Sequence, residues 1–150
     1  MIFGETYTLS NGVTIPELGL GTWFIPDEEA AGAVREAVKI GYRHIDTAQA
    51  YENERGVGEG IRTCGLAREE MFVTTKLAAE IKNYEEAVKA IDDSLEKMGL
   101  DYIDLMLIHS PQPWADFRGG DYAEGNREAW RALEDAYKSG KLRTIGVSNF

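Results

Sequence analysis

Three ionisable side chains of different kinds, Asp46, Lys76 and His109, each stand at the end of a short apolar run, and Tyr51 follows the first of them closely. Tyrosine, with an ordinary pKa near 10, is a poor proton donor at neutral pH. An ammonium within a few ångströms favours a phenolate and eases proton transfer to a developing alkoxide. Asp46 would hold such a lysine in place and keep it charged, and a neutral His109 could fix a carbonyl oxygen beside the Tyr51 hydroxyl. That set is an acid with an oxyanion clamp and no electron source. Carbonyl reduction by it therefore needs a hydride carrier.

The elements that must position these groups read as a regular beat. Tyr7 to Leu18 alternates around Asn11-Gly12, a dipeptide suited to a two-residue hairpin turn. Apolar strands are expected at Leu18–Trp23, Tyr42–Asp46, Met71–Lys76, Ile103–His109 and Leu142–Ser148, starting roughly 30 residues apart. Amphipathic helices separate them. The first, with Asp27 as its expected cap, turns Ala30, Ala33, Val34, Ala37 and Val38 inward, and Gly41 stops it. The second buries Val57 and Ile61. The third opens on Asn83 with Glu86 three residues on, resembling a capping box, and buries Ala87, Ile91, Leu95 and Met98. A long connection, Ser110 to Gly125, precedes a fourth helix carrying Ala129, Trp130, Leu133, Ala136 and Tyr137, ended by Gly140. Repeated strand–helix–strand units build a parallel sheet, and in such α/β folds ligands bind at the carboxyl ends of the strands. Those ends are Trp23, Asp46, Lys76, His109 and Ser148-Asn149. One polar residue at a strand exit needs no explanation beyond solvent; Asp, Lys and His on three successive strands ask for one.

Composition narrows the classes. The 150 residues carry 26 Asp+Glu against 16 Lys+Arg, a net charge of −10, which argues against nucleic acid as a partner. The single cysteine, Cys64, excludes an intrachain disulfide and a multi-cysteine metal site; no metal is expected, and a reducing, cytoplasmic setting fits. No apolar run approaches the length of a membrane span, and the first residues lack the pattern of a signal peptide.

Several longer stretches then match one family. Gly19-Leu20-Gly21-Thr22-Trp23, Gly41 to Ala48 with Tyr51-Glu52-Asn53-Glu54, Val73 to Lys76, Leu100 to His109 and Gly146 to Phe150 together resemble the aldo-keto reductases, in order, from about residue 7 to residue 150. The resemblance implies the N-terminal half of a TIM (β/α)8 barrel, as one partial domain: a hairpin, four βα units and a fifth strand. It implies Tyr51 as general acid, Lys76 and Asp46 as its tuners and His109 as the group orienting the carbonyl. Thr22, Asp46, Ser148 and Asn149 would approach the nicotinamide of NADPH, with NADH as the alternative carrier, and Trp23, Tyr51, His109 and Trp114 would line the pocket for a small carbonyl substrate. Where such family members often carry a tryptophan after the strand-four histidine, Ser110 stands here, which bears on substrate preference. The family's contacts to the adenosine phosphate lie on the half not represented. A second reading is thus a catalytically incomplete half-barrel or binding module. Its first and fifth strands would be free edges, pairing with a complementing half or another copy; truncation or proteolysis would also explain the length.

Other features read more plainly. His44 and Cys64 are expected to be structural, Asn53 to cap or brace the Tyr51 turn, and Trp130 and Tyr137 to belong to the core. Gly56, Gly58 and Gly60 imitate a dinucleotide-binding motif, but no strand immediately precedes them. Arg118-Gly119-Gly120 reads as a loop.

Overall fold

The Asn11-Gly12 turn forms as its residues demand: Gly12 takes a φ of 87°, and β1 (Thr6–Thr8) pairs antiparallel with β2 (Thr14–Pro16). The computed structural model describes all 150 residues. After the hairpin come β3 (Leu20–Gly21), α1 (Asp27–Ile40), β4 (His44–Asp46), α2 (Glu54–Thr63), β5 (Phe72–Leu77), α3 (Tyr84–Met98), β6 (Ile103–Ile108), α4 (Ala123–Lys138) and β7 (Leu142–Val147). The five later strands form one parallel sheet in the order β3-β4-β5-β6-β7. This is the parallel α/β arrangement expected. β3 and β4 are shorter than their apolar runs. Beyond Gly21 one further bond, Thr22 N–H to the Asp46 carbonyl, is made before the chain turns away at Phe24, whose φ is 68°.

Helix ends follow local chemistry, with one correction. Asn83 accepts a hydrogen bond from the Glu86 N–H at 2.9 Å, as its spacing predicts. Asp27, by contrast, does not cap α1; Pro26 occupies that position. Asp27 is the first helical residue, and its carboxylate crosses to α2, accepting from Gly56 N at 2.8 Å and Arg55 Nε at 2.6 Å. Arg55 and Gly56 lie in the first turn of α2, so the Asp27 carboxylate satisfies one of the free N–H groups at that helix's start.

α2 is squeezed between its neighbours. A Cβ on Gly56 would lie 2.2 Å from the Asp27 carbonyl oxygen, one on Gly58 2.2 Å from that of Met98, and one on Gly60 2.6 Å from Val34 Cβ. The glycine triplet is a seam for helix packing. The core lies between the sheet and its four helices, with every residue of β5 buried and Met106, Ile108 and Leu133 among its largest closed-off side chains. Ala129, Leu133 and Ala136 of α4 are buried as expected and Trp130 packs half-buried against them. Tyr137 does not join them. It is exposed, because it faces the groove beside β7.

β3 and β7 are the edges of the sheet. Beneath β7 sits Asp104, fully buried, which accepts from Arg68 Nη2 at 2.7 Å, Arg143 Nη1 at 2.8 Å and Val73 N at 2.9 Å. The hairpin tip reaches the same edge, Asn11 Nδ2 donating to the Arg143 carbonyl at 3.0 Å. Two grooves of about 750 and 610 Å³ flank β7, one lined by Ile108, Trp130, Val147 and Phe150, the other by Leu105, Leu107 and Tyr137. No helix is long and apolar enough to cross a membrane.

Candidate active site

The carboxyl ends of β4, β5 and β6 bring the expected groups together. Lys76, the penultimate residue of the wholly buried β5, sends its Nζ to both oxygens of Asp46 at 2.7 Å, to the Thr47 carbonyl at 2.9 Å and to Tyr51 Oη at 3.5 Å. The ammonium also lies 5.0 Å from the Tyr51 ring centre. Two partners fix the cation, and its remaining reach is toward the phenol. Tyr51 owes its place to a 3-10 turn, Gln49–Tyr51, that ends on Glu52 in the left-handed region.

His109 follows β6 directly, its N–H bonded to the Leu77 carbonyl. Its ring meets Tyr51 edge-on at 5.8 Å between centres and Trp114 edge-on at 5.0 Å. Burial pushes its pKa below the usual histidine value, the Lys76 cation adding to the effect, so the ring is neutral at pH 7. Its Nδ1 is buried without a hydrogen-bond partner.

Above these groups lies an apolar pocket of about 450 Å³, lined by Trp23, Ala50, Tyr51, His109 and Trp114. Trp23 stacks on the exposed Phe24 with ring centres 4.3 Å apart, and Trp114 leans on Phe117. Trp114 is carried by the connection between β6 and α4, whose bonds are largely its own. Asp116 accepts from Tyr122 Oη and Gly120 N, and Gln112 accepts from Arg118 N. From outside it, the Glu80 carboxylate accepts from Trp114 N, and Lys82 Nζ and Asn126 Nδ2 donate to the carbonyls of Ser110 and Pro111 at its start.

Three other residues sit differently. Thr22 is fully buried and donates its hydroxyl to the Asp46 carbonyl at 2.9 Å, bracing β3 against β4. Ser148 Oγ and Asn149 Nδ2 both donate to the His109 carbonyl, at 2.7 and 2.8 Å. Asn149 has a φ of 62°, a conformation asparagine tolerates better than most side chains. Asn53, fully buried, accepts from Thr47 Oγ1 at 2.6 Å and donates to the carbonyls of Thr22 and Ile25, so one amide ties the turn bearing Trp23 to the turn bearing Tyr51. His44 bonds Thr74 Oγ1 at 2.8 Å, away from the pocket. Half-buried Cys64 makes only a local contact to the Ile61 carbonyl.

Glu54 falls within a quoted family stretch, but its role was not read, and Gln49 and Ser94 carry no signal in the sequence; Glu54 and Ser94 are buried and bonded beneath the site.

A parallel β/α sheet with an Asp–Lys–Tyr cluster and a neutral histidine at its strand ends places the molecule among α/β proteins with a candidate active site at the carboxyl ends of the strands. Comparison with known proteins makes it specific. The Aldo/keto reductase family matches residues 17–150, and the chain belongs to that family. It is 49% identical over 147 residues to a 9,11-endoperoxide prostaglandin H2 reductase of Trypanosoma cruzi, covering 95% of this chain and 47% of that protein. It is 48% identical to the glyoxal reductase of Bacillus subtilis, covering 97% and 50%. A crystal structure of an aldo/keto reductase from Brucella melitensis superposes with a TM-score of 0.87 at 48% identity, over 97% of this chain and 54% of that one. That of a Bombyx mori aldo-keto reductase in complex with NADP gives 0.81 at 40%, over 95% and 50%. The chain thus spans about half the length of the relatives it matches.

Proposed function

We propose that this site reduces aldehydes and ketones to alcohols, with Tyr51 delivering the proton. The observation that carries the reading is the Lys76 ammonium, anchored on Asp46 at 2.7 Å and 3.5 Å from Tyr51 Oη, beside an uncharged histidine in one apolar pocket. NADPH, when bound, supplies the hydride; the alternative carrier is NADH. The residues present suit a carboxamide-bearing ring: the Asn149 side chain is fixed on the His109 carbonyl through Nδ2, which leaves its Oδ1 as an acceptor, and Ser148 stands beside it. The Bombyx mori relative's complex with NADP supports the same carrier here.

The roles follow from the geometry. Trp23 and Trp114 flank the reacting carbonyl with apolar surface. His109 is uncharged; its Nδ1 is buried without a partner, so Nε2 is the ring nitrogen left to meet the carbonyl oxygen, and in the tautomer protonated there it donates to that oxygen. Tyr51 gives its proton to the same oxygen as negative charge develops there. The nearby ammonium stabilises the phenolate left behind, and Asp46 and the Thr47 carbonyl keep that cation in place.

The test is direct: titrate the chain with NADPH, follow fluorescence, and assay reduction of a nitrobenzaldehyde. Tyr51→Phe should abolish turnover and leave cofactor binding largely intact. Equal activity in that variant overturns the assignment of the acid.

A second reading concerns assembly. The free side of β7, with Val147 and Phe150 exposed between two grooves, favours pairing with further βα units, from a complementing half or another copy. A strictly monomeric mass at high concentration, with the β7 amides protected from hydrogen exchange, contradicts it.

A further inference from the structure

The Tyr51 hydroxyl and the Lys76 ammonium come from different elements, a short 3-10 turn and a strand, and only 3.5 Å separates them. A three-residue turn has little stiffness of its own. Something must hold it against β5.

Two side chains flanking Tyr51 do so, and they grip β5 on both sides of Lys76. Gln49, two residues before Tyr51, accepts from the Ala78 N–H at 2.8 Å, just past the end of β5. The same carboxamide donates to the Ala90 carbonyl at 3.0 Å and to Ser94 Oγ at 2.9 Å, both on α3. Glu54, three residues after Tyr51, accepts from Thr75 Oγ1 at 2.7 Å, the residue immediately before Lys76. Glu54, Ser94 and Thr75 are all buried. The result is a two-armed bracket, Gln49 on Ala78 and α3 and Glu54 on Thr75, that grips β5 on both sides of Lys76, and none of its side chains lines the pocket. A buried carboxyl and a half-buried carboxamide are costly unless every partner is placed, and here those partners are the segments bearing the acid and its cation.

We propose that Gln49 and Glu54 are positioning residues that set the separation of Tyr51 from Lys76. This rests on the reading of Tyr51 as the proton donor. Gln49→Ala removes three hydrogen bonds from one end of the Tyr51 turn, whereas Gln49→Glu keeps the acceptor for Ala78 N and loses both donors. Displacement of a reacting group by about 1 Å costs on the order of a hundredfold in rate, so a partial loosening in Gln49→Ala should lower kcat about tenfold with KM for NADPH unchanged.

The experiment uses the 150-residue chain with tyrosine and lysine isotopically labelled, and reads the nuclear Overhauser cross-peak between the Tyr51 ring protons and the Lys76 side-chain methylene next to Nζ. That readout needs no turnover. In Gln49→Ala the cross-peak should fall to less than half its parent intensity while the amide spectrum of β5 and β6 stays in place, and Gln49→Glu should recover part of it. Should Gln49→Ala not fold, Thr75→Val, nearly isosteric, tests the other arm of the bracket with the same readout. An undiminished cross-peak in a folded variant, or its absence in the parent, overturns the proposal. The two readings fail separately. Turnover retained by Tyr51→Phe, with cross-peaks that respond as stated, removes the acid and leaves the bracket. Unchanged cross-peaks with an inactive Tyr51→Phe do the reverse.

Discussion

The centre of the sheet and its β7 edge are built from similar residues and treat them in opposite ways. All six residues of β5 are buried, and the lysine among them is bonded on every side that faces protein. β7 is equally apolar in sequence, yet Arg143 and Val147 are exposed and both flanks open into grooves. At the centre, polar groups have been brought inside and satisfied; at the edge, apolar groups have been left outside. A strand of the first kind can hold reacting groups still. One of the second kind presents unpaired backbone to whatever strand arrives.

Four outcomes would sharpen or break this contrast, given from the largest effect down. Asp104→Ala removes the buried carboxylate under β5, β6 and β7, leaving Val73 N unpaired and two guanidinium groups without their anion; a loss of about 3 kcal/mol is expected, read by urea unfolding. Met106→Ala at the centre should cost about 2–5 kcal/mol, whereas Val147→Ala at the edge should stay within about 0.5 kcal/mol. Equal costs would erase the distinction. A third outcome concerns acid. Burial is the main cause lowering the pKa of both His44 and His109, so the unfolded chain binds more protons than the folded one once pH drops below about 6.5. Their contribution to stability is complete above that pH and is lost as pH falls toward the folded values. Glu54, raised chiefly by burial, works in the opposite sense and returns some stability as it protonates. A net fall in melting temperature from pH 7 to pH 5.5, smaller in His44→Gln, is expected; a rise would refute it. Last, Val147→Lys should leave melting nearly unchanged and abolish any concentration-dependent association seen by sedimentation. Association that persists would place the contact elsewhere.

How much of this was legible beforehand differs by physical cause. The five-strand parallel sheet could be read because apolar runs, helical spacing and cap residues such as Asn83 are local signals. The cluster of Asp46, Tyr51, Lys76 and His109 could be read because strand ends in such a sheet converge, and the family motifs sharpened it. Asp27 was read wrongly as a cap, since nothing in its neighbourhood reveals that Arg55 and Gly56 will arrive from α2. Tyr137 fell on the inward-looking spacing of α4, but at the sheet's edge an inward position still meets solvent. The bonding roles of Gln49, Glu54 and Ser94 were invisible for a related reason: their partners lie on other elements, and a polar residue's destination is decided by packing. The glycine triplet was visible and only its meaning was not; the crowding of Asp27, Val34 and Met98 around α2 supplies it.

The connection between β6 and α4 bonds mostly to itself, through Asp116 and Gln112, while carrying Trp114 into the pocket wall. It is therefore close to an interchangeable cassette. These dozen residues can be edited, by lineages or a designer, to reshape one wall of the pocket while Asp46 and Lys76 on β4 and β5 stay untouched. The wall of a pocket can change quickly on a scaffold whose floor is held fixed.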